Sequence, residues 1–190
     1  MTFTTPKLLS FEEYLAYDDG TDTRYELVNG QLEPRNLPTF RHLFISTHIE
    51  QRLDAEIKRL SLPWVCLREA GVRTGWRKSR LTDVYVLTAD QIAGMLDRSA
   101  VCQTSPLLVV EVVSPDSVKR DYRYKRSEYA ALEIPEYWIV DPLESKVSVL
   151  LWNDRLYEET VFVGSQAIES RTFPELRLTV EQVLAAGNGE

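Results

Sequence analysis

No stretch of this chain approaches the roughly 20 consecutive apolar residues of a membrane-spanning helix. Cysteine is scarce. Cys66 and Cys102 stand among apolar neighbours without metal-ligand spacing, so they read as reduced, buried thiols and not as zinc ligands. Also missing are a Gly-rich phosphate loop, a serine or cysteine nucleophile signature and any zinc motif, which removes the enzyme classes those motifs serve. Positive charge is in deficit: the net charge of −7 argues against a protein that coats nucleic acid by bulk attraction. The first residues, Met1 to Lys7, have neither the charged nor the apolar region of a signal peptide, so a cytoplasmic location is expected.

What remains is an ordinary globular composition, with 44% hydrophobic and 27% charged residues. At 190 residues the chain is expected to form one domain over 1–190, with a full core and no internal repeat or linker.

The positive charge is unevenly placed. Arg68, Arg73, Arg77, Lys78 and Arg80 face only Glu69 within one segment, a balance of +4. Lys119, Arg120, Arg123, Lys125 and Arg126 face only Asp121 in another, again +4. Solvated surface charge is the plain account of either run alone. Both runs lie beside the two apolar strands that carry an acid, which favours contact with a polyanion.

The first of those strands is Leu107-Leu108-Val109-Val110-Glu111-Val112-Val113, bounded by Pro106 and Ser114-Pro115. It is apolar except for Glu111 and reads as a strand buried on both faces of an α/β sheet. A carboxylate there costs several kcal/mol, in round terms, unless a cation or strong donors meet it. The second is Leu81-Thr82-Asp83-Val84-Tyr85-Val86-Leu87. Asp83 shares a face with Leu81, Tyr85 and Leu87, and Glu111 with Leu107, Val109 and Val113. If the strands are neighbours, the two carboxylates point to one side. At about 4 Å apart in a dry site they would not both ionise without a cation. A hard ion, Mg²⁺ or Mn²⁺, suits such a pair and would keep waters and phosphate oxygens as its other ligands.

Around these strands the pattern predicts the rest. Ser10-Phe11-Glu12-Glu13 has the form of a capping box opening a short helix. Arg24 to Val28, Asn29-Gly30 and Gln31 to Glu33 read as a hairpin. Leu43, Ile45, Ile49, Leu53, Ile57 and Leu60 mark the longest helix, ended by Pro63. Strands are expected at Trp64–Leu67 and around Val72, then a short helix and loop over 89–105. A helix of roughly 117–132 joins the Glu111 strand to Tyr137-Trp138-Ile139-Val140 in a parallel βαβ unit. A hairpin of Val147–Trp152 and Tyr157–Val163 and a helix near 180–185 complete the chain.

On the helix after Glu111, Val118, Tyr122, Lys125, Tyr129 and Leu132 form one stripe. Lys125 within it either snorkels to the rim or is aimed into a polar pocket, and a surface pair with Asp121 is the plain alternative. Glu26 lies on the opposite strand face from Tyr25 and Leu27, toward solvent or toward the site. His42 and His48, alone on the long helix, read as core or surface residues and not as ligands.

The segments "RYELVNGQL", "TDVYV", "LLVVEVVSP" and "DYRYKRSEYAALEIPEYWIVDP", in that order, resemble the Uma restriction-endonuclease domain family, a branch of the PD-(D/E)XK nuclease superfamily. The resemblance spans about residues 8–182. It implies a restriction-endonuclease-like α/β (α+β) fold, a central mixed sheet flanked by helices with an N-terminal hairpin. It also implies an endonuclease that hydrolyses DNA with Mg²⁺ or Mn²⁺. Asp83, Glu111 and Lys125 then take the catalytic positions, and Asp83, Glu111 and Glu26 the metal positions. Thr82 stands where the family has proline, and Val113 where many relatives have lysine, as in the branch whose lysine is displaced to the helix. Arg73, Arg77, Lys78, Lys119, Arg120 and Arg123 are the expected phosphate contacts. A homodimer is expected for double-strand cleavage, with the C-terminal hairpin and an exposed Trp152 as interface. A non-catalytic module of the same fold, binding DNA or a protein, is the alternative.

Overall fold

The computed structural model describes residues 7–188; the first six residues of the segment read for a signal peptide, Met1 to Lys7, lie outside them. Helix α1 (Phe11–Leu15) opens on the expected capping box, with Ser10 Oγ accepting from Glu13 N–H and the Glu13 carboxylate accepting from Ser10 N–H. Strands β1 (Tyr25–Val28) and β2 (Gln31–Pro34) turn through Asn29 (φ 51°) and Gly30 (φ 84°), the left-handed pair that a two-residue hairpin needs. Helix α2 (Phe40–Arg59) follows, capped by Thr39. Its Ile45, Ile49, Leu53 and Ile57 are buried, each stabilising the fold by about 1.5–3 kcal/mol. Leu60, expected on that face, lies beyond the helix end and is partly exposed.

Strands β3 (Trp64–Gly75) and β4 (Lys78–Thr88) form a long hairpin. The two strands expected around Gly71 are therefore one. Gly71 does not break it but admits a neighbour: a Cβ there would come within 2.8 Å of Val101. Val101–Cys102 is a short strand, β5, that pairs with β3 and was not expected within the 89–105 loop. Helix α3 (Ala89–Ile92) precedes it. Strand β6 (Leu108–Val112) leads into a helical segment whose first part is a π-turn over Arg120–Lys125 and whose second is α4 (Arg126–Ala131). Strands β7 (Glu136–Asp141), β8 (Lys146–Asn153) and β9 (Leu156–Val163) and helix α5 (Val180–Ala185) close the chain.

The strands make one mixed sheet, ordered β2-β1-β4-β6-β7-β8-β9, with β3 branching from β4 and β5 pairing with β3. Strands β6 and β7 are parallel, and β4 meets β6 antiparallel. Alternation along each strand divides the core in two. Val84, Val86, Val110, Val112, Trp138 and Val140 pack with α2 and α5 on one face. Tyr85, Leu87, Val109, Val113, Tyr137 and Ile139 pack with Tyr129 and Ile134 on the other. Glu111 belongs by alternation to the second face, beneath the π-turn and α4, whereas Asp83 turns toward His42 of α2.

Cys66 and Cys102 are free and buried. Among the described residues no helix is long and apolar enough to cross a membrane. Trp152 is not the exposed aromatic expected of the C-terminal hairpin: it packs against the second core and its indole N–H donates to Ala130 O at 3.1 Å.

Candidate active site

The β4–β6 ladder ends at the pair Val84–Val110, and beyond it the strands part. Asp83 fills the fork. Its Oδ2 accepts from Val112 N–H at 2.7 Å, taking a donor that the ladder no longer uses, and its Oδ1 lies 3.0 Å from His42 Nε2. Burial opposes its ionisation, but the His42 hydrogen bond and the nearby Lys125 charge more than offset this and hold its pKa below the usual range. The Asp83 side chain is 16% exposed and lines a cleft of about 920 Å³.

Glu111 sits deeper, 1% exposed. Its Oε2 meets Lys125 Nζ at 2.6 Å, and its Oε1 accepts from Tyr129 Oη at 2.7 Å. The ammonium also donates to Leu81 O at 2.8 Å and stands 3.7 Å from Glu26 and 3.8 Å from Asp121. Burial works against its charge, yet Glu111, Glu26 and Asp121 raise its pKa and keep it protonated. For Glu111 the balance runs the other way. Burial, with Asp83 and Asp121 close by, outweighs the pull of Lys125 and pushes its pKa up to about 8. Burial raises Asp121 as well, and its Oδ1 is buried without a hydrogen-bond partner.

Glu26 is fully buried and points into the site. It accepts from Arg80 Nη1 at 3.0 Å and from Leu81 N–H at 3.1 Å. Burial disfavours its charge, but Lys125, Arg35 and Arg80 lower its pKa. Arg80 spans Glu26 and Glu128, with bonds of 2.8 and 2.7 Å to the latter, so it is an interior cation and not the surface charge its segment suggested. The surface pair of Asp121 and Lys125 is likewise corrected, since both residues are buried.

The structure thus brings Glu26, Asp83, Glu111 and Lys125 together. The expected phosphate contacts divide. Arg120 lines the cleft, and Lys119 and Arg123 are exposed on the same helical segment. Arg73, Arg77 and Lys78 belong to the β3–β4 hairpin end, where the Arg73 guanidinium lies 4.1 Å over the Phe11 ring. Sequence reasoning missed His42, passed over as a lone helical histidine, and the roles of Tyr129, Arg80 and Asp121. Arg24 and Arg35 on the cleft wall were also missed.

Could these residues hold a metal? Among the described residues no three His, Cys, Asp or Glu form a ready-made cage. The donors nevertheless suit a hard ion: Asp83 and Glu111 offer oxygens only, and each oxygen named above accepts one bond while carrying two lone pairs. The raised Glu111 and the unpartnered Asp121 Oδ1 mark a surplus of negative charge that a cation would relieve.

Residues 11–181 match the family model Uma2, described as "Putative restriction endonuclease". The chain belongs to this family. The crystal structure of a "putative nuclease belonging to DUF820" from Anabaena variabilis ATCC 29413 superposes with a TM-score of 0.79 at 18% identity, covering 94% of this chain and 99% of that one. That likeness establishes the restriction-endonuclease-like fold of this Uma2 member. The type IIG restriction endonuclease BpuSI overlaps at a TM-score of 0.41 and 14% identity, over 80% of this chain and 17% of its own. No curated protein is significantly similar to the chain.

Proposed function

We propose that this Uma2 protein is a metal-dependent endonuclease that hydrolyses phosphodiester bonds in DNA. The observation that carries the reading is the fork between β4 and β6, where Asp83 faces an open cleft while Glu111, on the neighbouring strand, holds a charged lysine. Asp83 and Glu111 would hold Mg²⁺ or Mn²⁺. When bound, the metal supplies a lower pKa for a coordinated water and neutralises charge on the scissile phosphate. Glu26, already engaged by Arg80 and Leu81 N–H, is the weaker ligand of the three and mainly holds Lys125 in its charged form.

Lys125 has three N–H donors, of which Glu111 and Leu81 O take two. The third, near Glu26 and Asp121 but without a hydrogen bond of its own, would orient the attacking water or meet the developing charge on the phosphate, work that suits a fixed donor in a dry site. Tyr129 fixes the second oxygen of Glu111, so the carboxylate cannot swing away from the lysine. His42 orients Asp83 from the cleft side. Arg120, Lys119 and Arg123 would take flanking phosphates without reading bases. A homodimer in the cytoplasm would bring two such sites to the two strands of a duplex.

One observation favours a second reading, a non-catalytic DNA- or protein-binding module. The Glu111–Lys125 pair is closed, with both carboxylate oxygens already bonded. Calorimetric titration of Mg²⁺ and Mn²⁺ into metal-stripped wild type and Glu111→Ala, paired with nicking of supercoiled plasmid, separates the two. Metal binding and nicking that both vanish in the variant support the nuclease. A wild type that neither binds metal, alone or with DNA present, nor nicks leaves the module.

A further inference from the structure

One wall of the cleft is built by the segment between β2 and α2, and it has an unusual composition for a charged site. Leu37 is 94% exposed and Phe40 79%, and both line the cleft. The apolar stripe of α2 lies on Ile45, Ile49, Leu53 and Ile57, all buried, so Phe40 contributes little to the core. Nor is the segment loose. Arg35 N–H donates to Arg24 O at 2.8 Å, and Asn36 Nδ2 reaches across to Asp116 at 3.1 Å, on the loop that follows β6. Pro34 and Pro38 stiffen it further. Two large apolar side chains are therefore held in water at the mouth of a cleft that ends on Asp83. Arg35 and Arg120 also line the cleft, 3.8 Å from Glu26 and 3.7 Å from Asp121 respectively, and the first turn of α2 carries no acidic residue.

We infer that Leu37 and Phe40 form a base-stacking platform and that the cleft takes an unpaired DNA strand. The inference deepens the nuclease reading and rests on it for the class of ligand. Guanidinium groups beside an exposed ring match the alternation of phosphate and base along a single strand. In a duplex the base faces are covered by their neighbours, so a ring at a cleft mouth finds a partner only where a base is unpaired or extruded. The net charge of −7 points the same way. With no bulk attraction for a polyanion, affinity has to come from local contacts, and stacking is the contact that charge does not oppose.

The test is fluorescence anisotropy of a labelled oligothymidylate and of a blunt duplex of equal length, both in EDTA so that cleavage does not enter. Wild type binds the single strand more tightly than the duplex. Phe40→Ala weakens the single strand by about fivefold or more, and Phe40→Trp restores it. Equal single-strand binding by wild type and Phe40→Ala overturns the inference, as does failure to bind either form. A parallel plasmid-nicking assay in Mg²⁺ separates the two readings. Phe40-dependent binding in EDTA with no nicking in Mg²⁺ keeps the platform and removes the nuclease. Nicking that is identical in wild type and Phe40→Ala, with no single-strand preference in EDTA, keeps the nuclease and removes the platform.

Discussion

With its ammonium 2.6 Å from Glu111 and within 3.8 Å of Glu26 and Asp121, Lys125 balances three carboxyl groups with one charge. The two halves of the Glu111–Lys125 pair are therefore unequal. Replacing Lys125 by methionine leaves several buried acids without their common partner, which costs about 3–5 kcal/mol in urea unfolding. Glu111→Gln leaves the ammonium with Glu26, Asp121 and Leu81 O, so its cost stays near that of one hydrogen bond, about 0.5–1.5 kcal/mol. Equal losses in the two variants would contradict this charge balance. The same surplus sets a pH dependence. The folded pKa of Glu111, about 8, lies above its ordinary value of 4.5, so the folded state binds the extra proton. Its contribution to stability is fully present below pH 4.5 and is lost as pH rises through about 8. Thermal unfolding of metal-free wild type should thus fall relative to Glu111→Gln across this window. Saturating Mg²⁺, which needs the carboxylate, should flatten the difference; a wild-type curve parallel to that of Glu111→Gln would refute the assignment.

The helical segment between β6 and β7 shows how far the sequence carried and where it stopped. Its existence, its length and the stripe that carries Lys125 and Tyr129 were legible from a period of 3.6, which left open whether Lys125 reached the rim or a pocket. The stripe also named Val118, which is 41% exposed, and skipped Asp121, which is buried. The reason is the π-turn over Arg120–Lys125. Ser117, Asp121, Lys125 and Tyr129 are all buried at a uniform spacing of four, which an ideal α-helix would carry about 40° further round at each step. A wider turn absorbs that drift, and nothing in residue order announces it. The acids of β4 and β6 were legible for the opposite reason: in an apolar strand a lone carboxylate is conspicuous, and the period of two fixes the face of Glu111, whereas Asp83 turns instead toward His42 of α2. His42, the Arg80 bridge and the pairing of Val101 with β3 depend on contacts between distant segments, which no local pattern carries. Because a π-turn behaves as one inserted residue, deleting the exposed Arg123 should restore α-geometry and turn Lys125 away from Glu111. The expected result is a variant with unchanged far-UV circular dichroism, a lowered Tm and no nicking of plasmid. Full activity after the deletion would show that the wide turn does not position the lysine.

Across the whole molecule, the net charge conceals how few cations are free to meet DNA. Of the two basic runs, Arg80 and Lys125 are committed inside the site, Arg126 to Glu159 at 2.7 Å and Arg68 to the Thr47 hydroxyl. That leaves Lys119, Arg120 and Arg123 beside the cleft and, at the hairpin end, Arg73, Arg77 and Lys78, the last 3.7 Å from Glu128. From Asp83 to Lys78 is five residues along β4, roughly 17 Å at the usual rise of a strand. A backbone laid along β4 from the fork would therefore pass from the first trio to the second. Each phosphate neutralised by lysine or arginine steepens the fall of log K with log salt by about 0.9 on a duplex and about 0.7 on a single strand. Lys119→Glu with Arg123→Glu, and separately Arg77→Glu with Lys78→Glu, should each reduce that slope by one to two of those increments (roughly 0.7 to 1.8 in all) while leaving the Phe40 dependence intact. A slope that responds to the helix pair and not to the hairpin pair would confine the DNA to the cleft, because an unengaged cation releases no counterions whatever its charge.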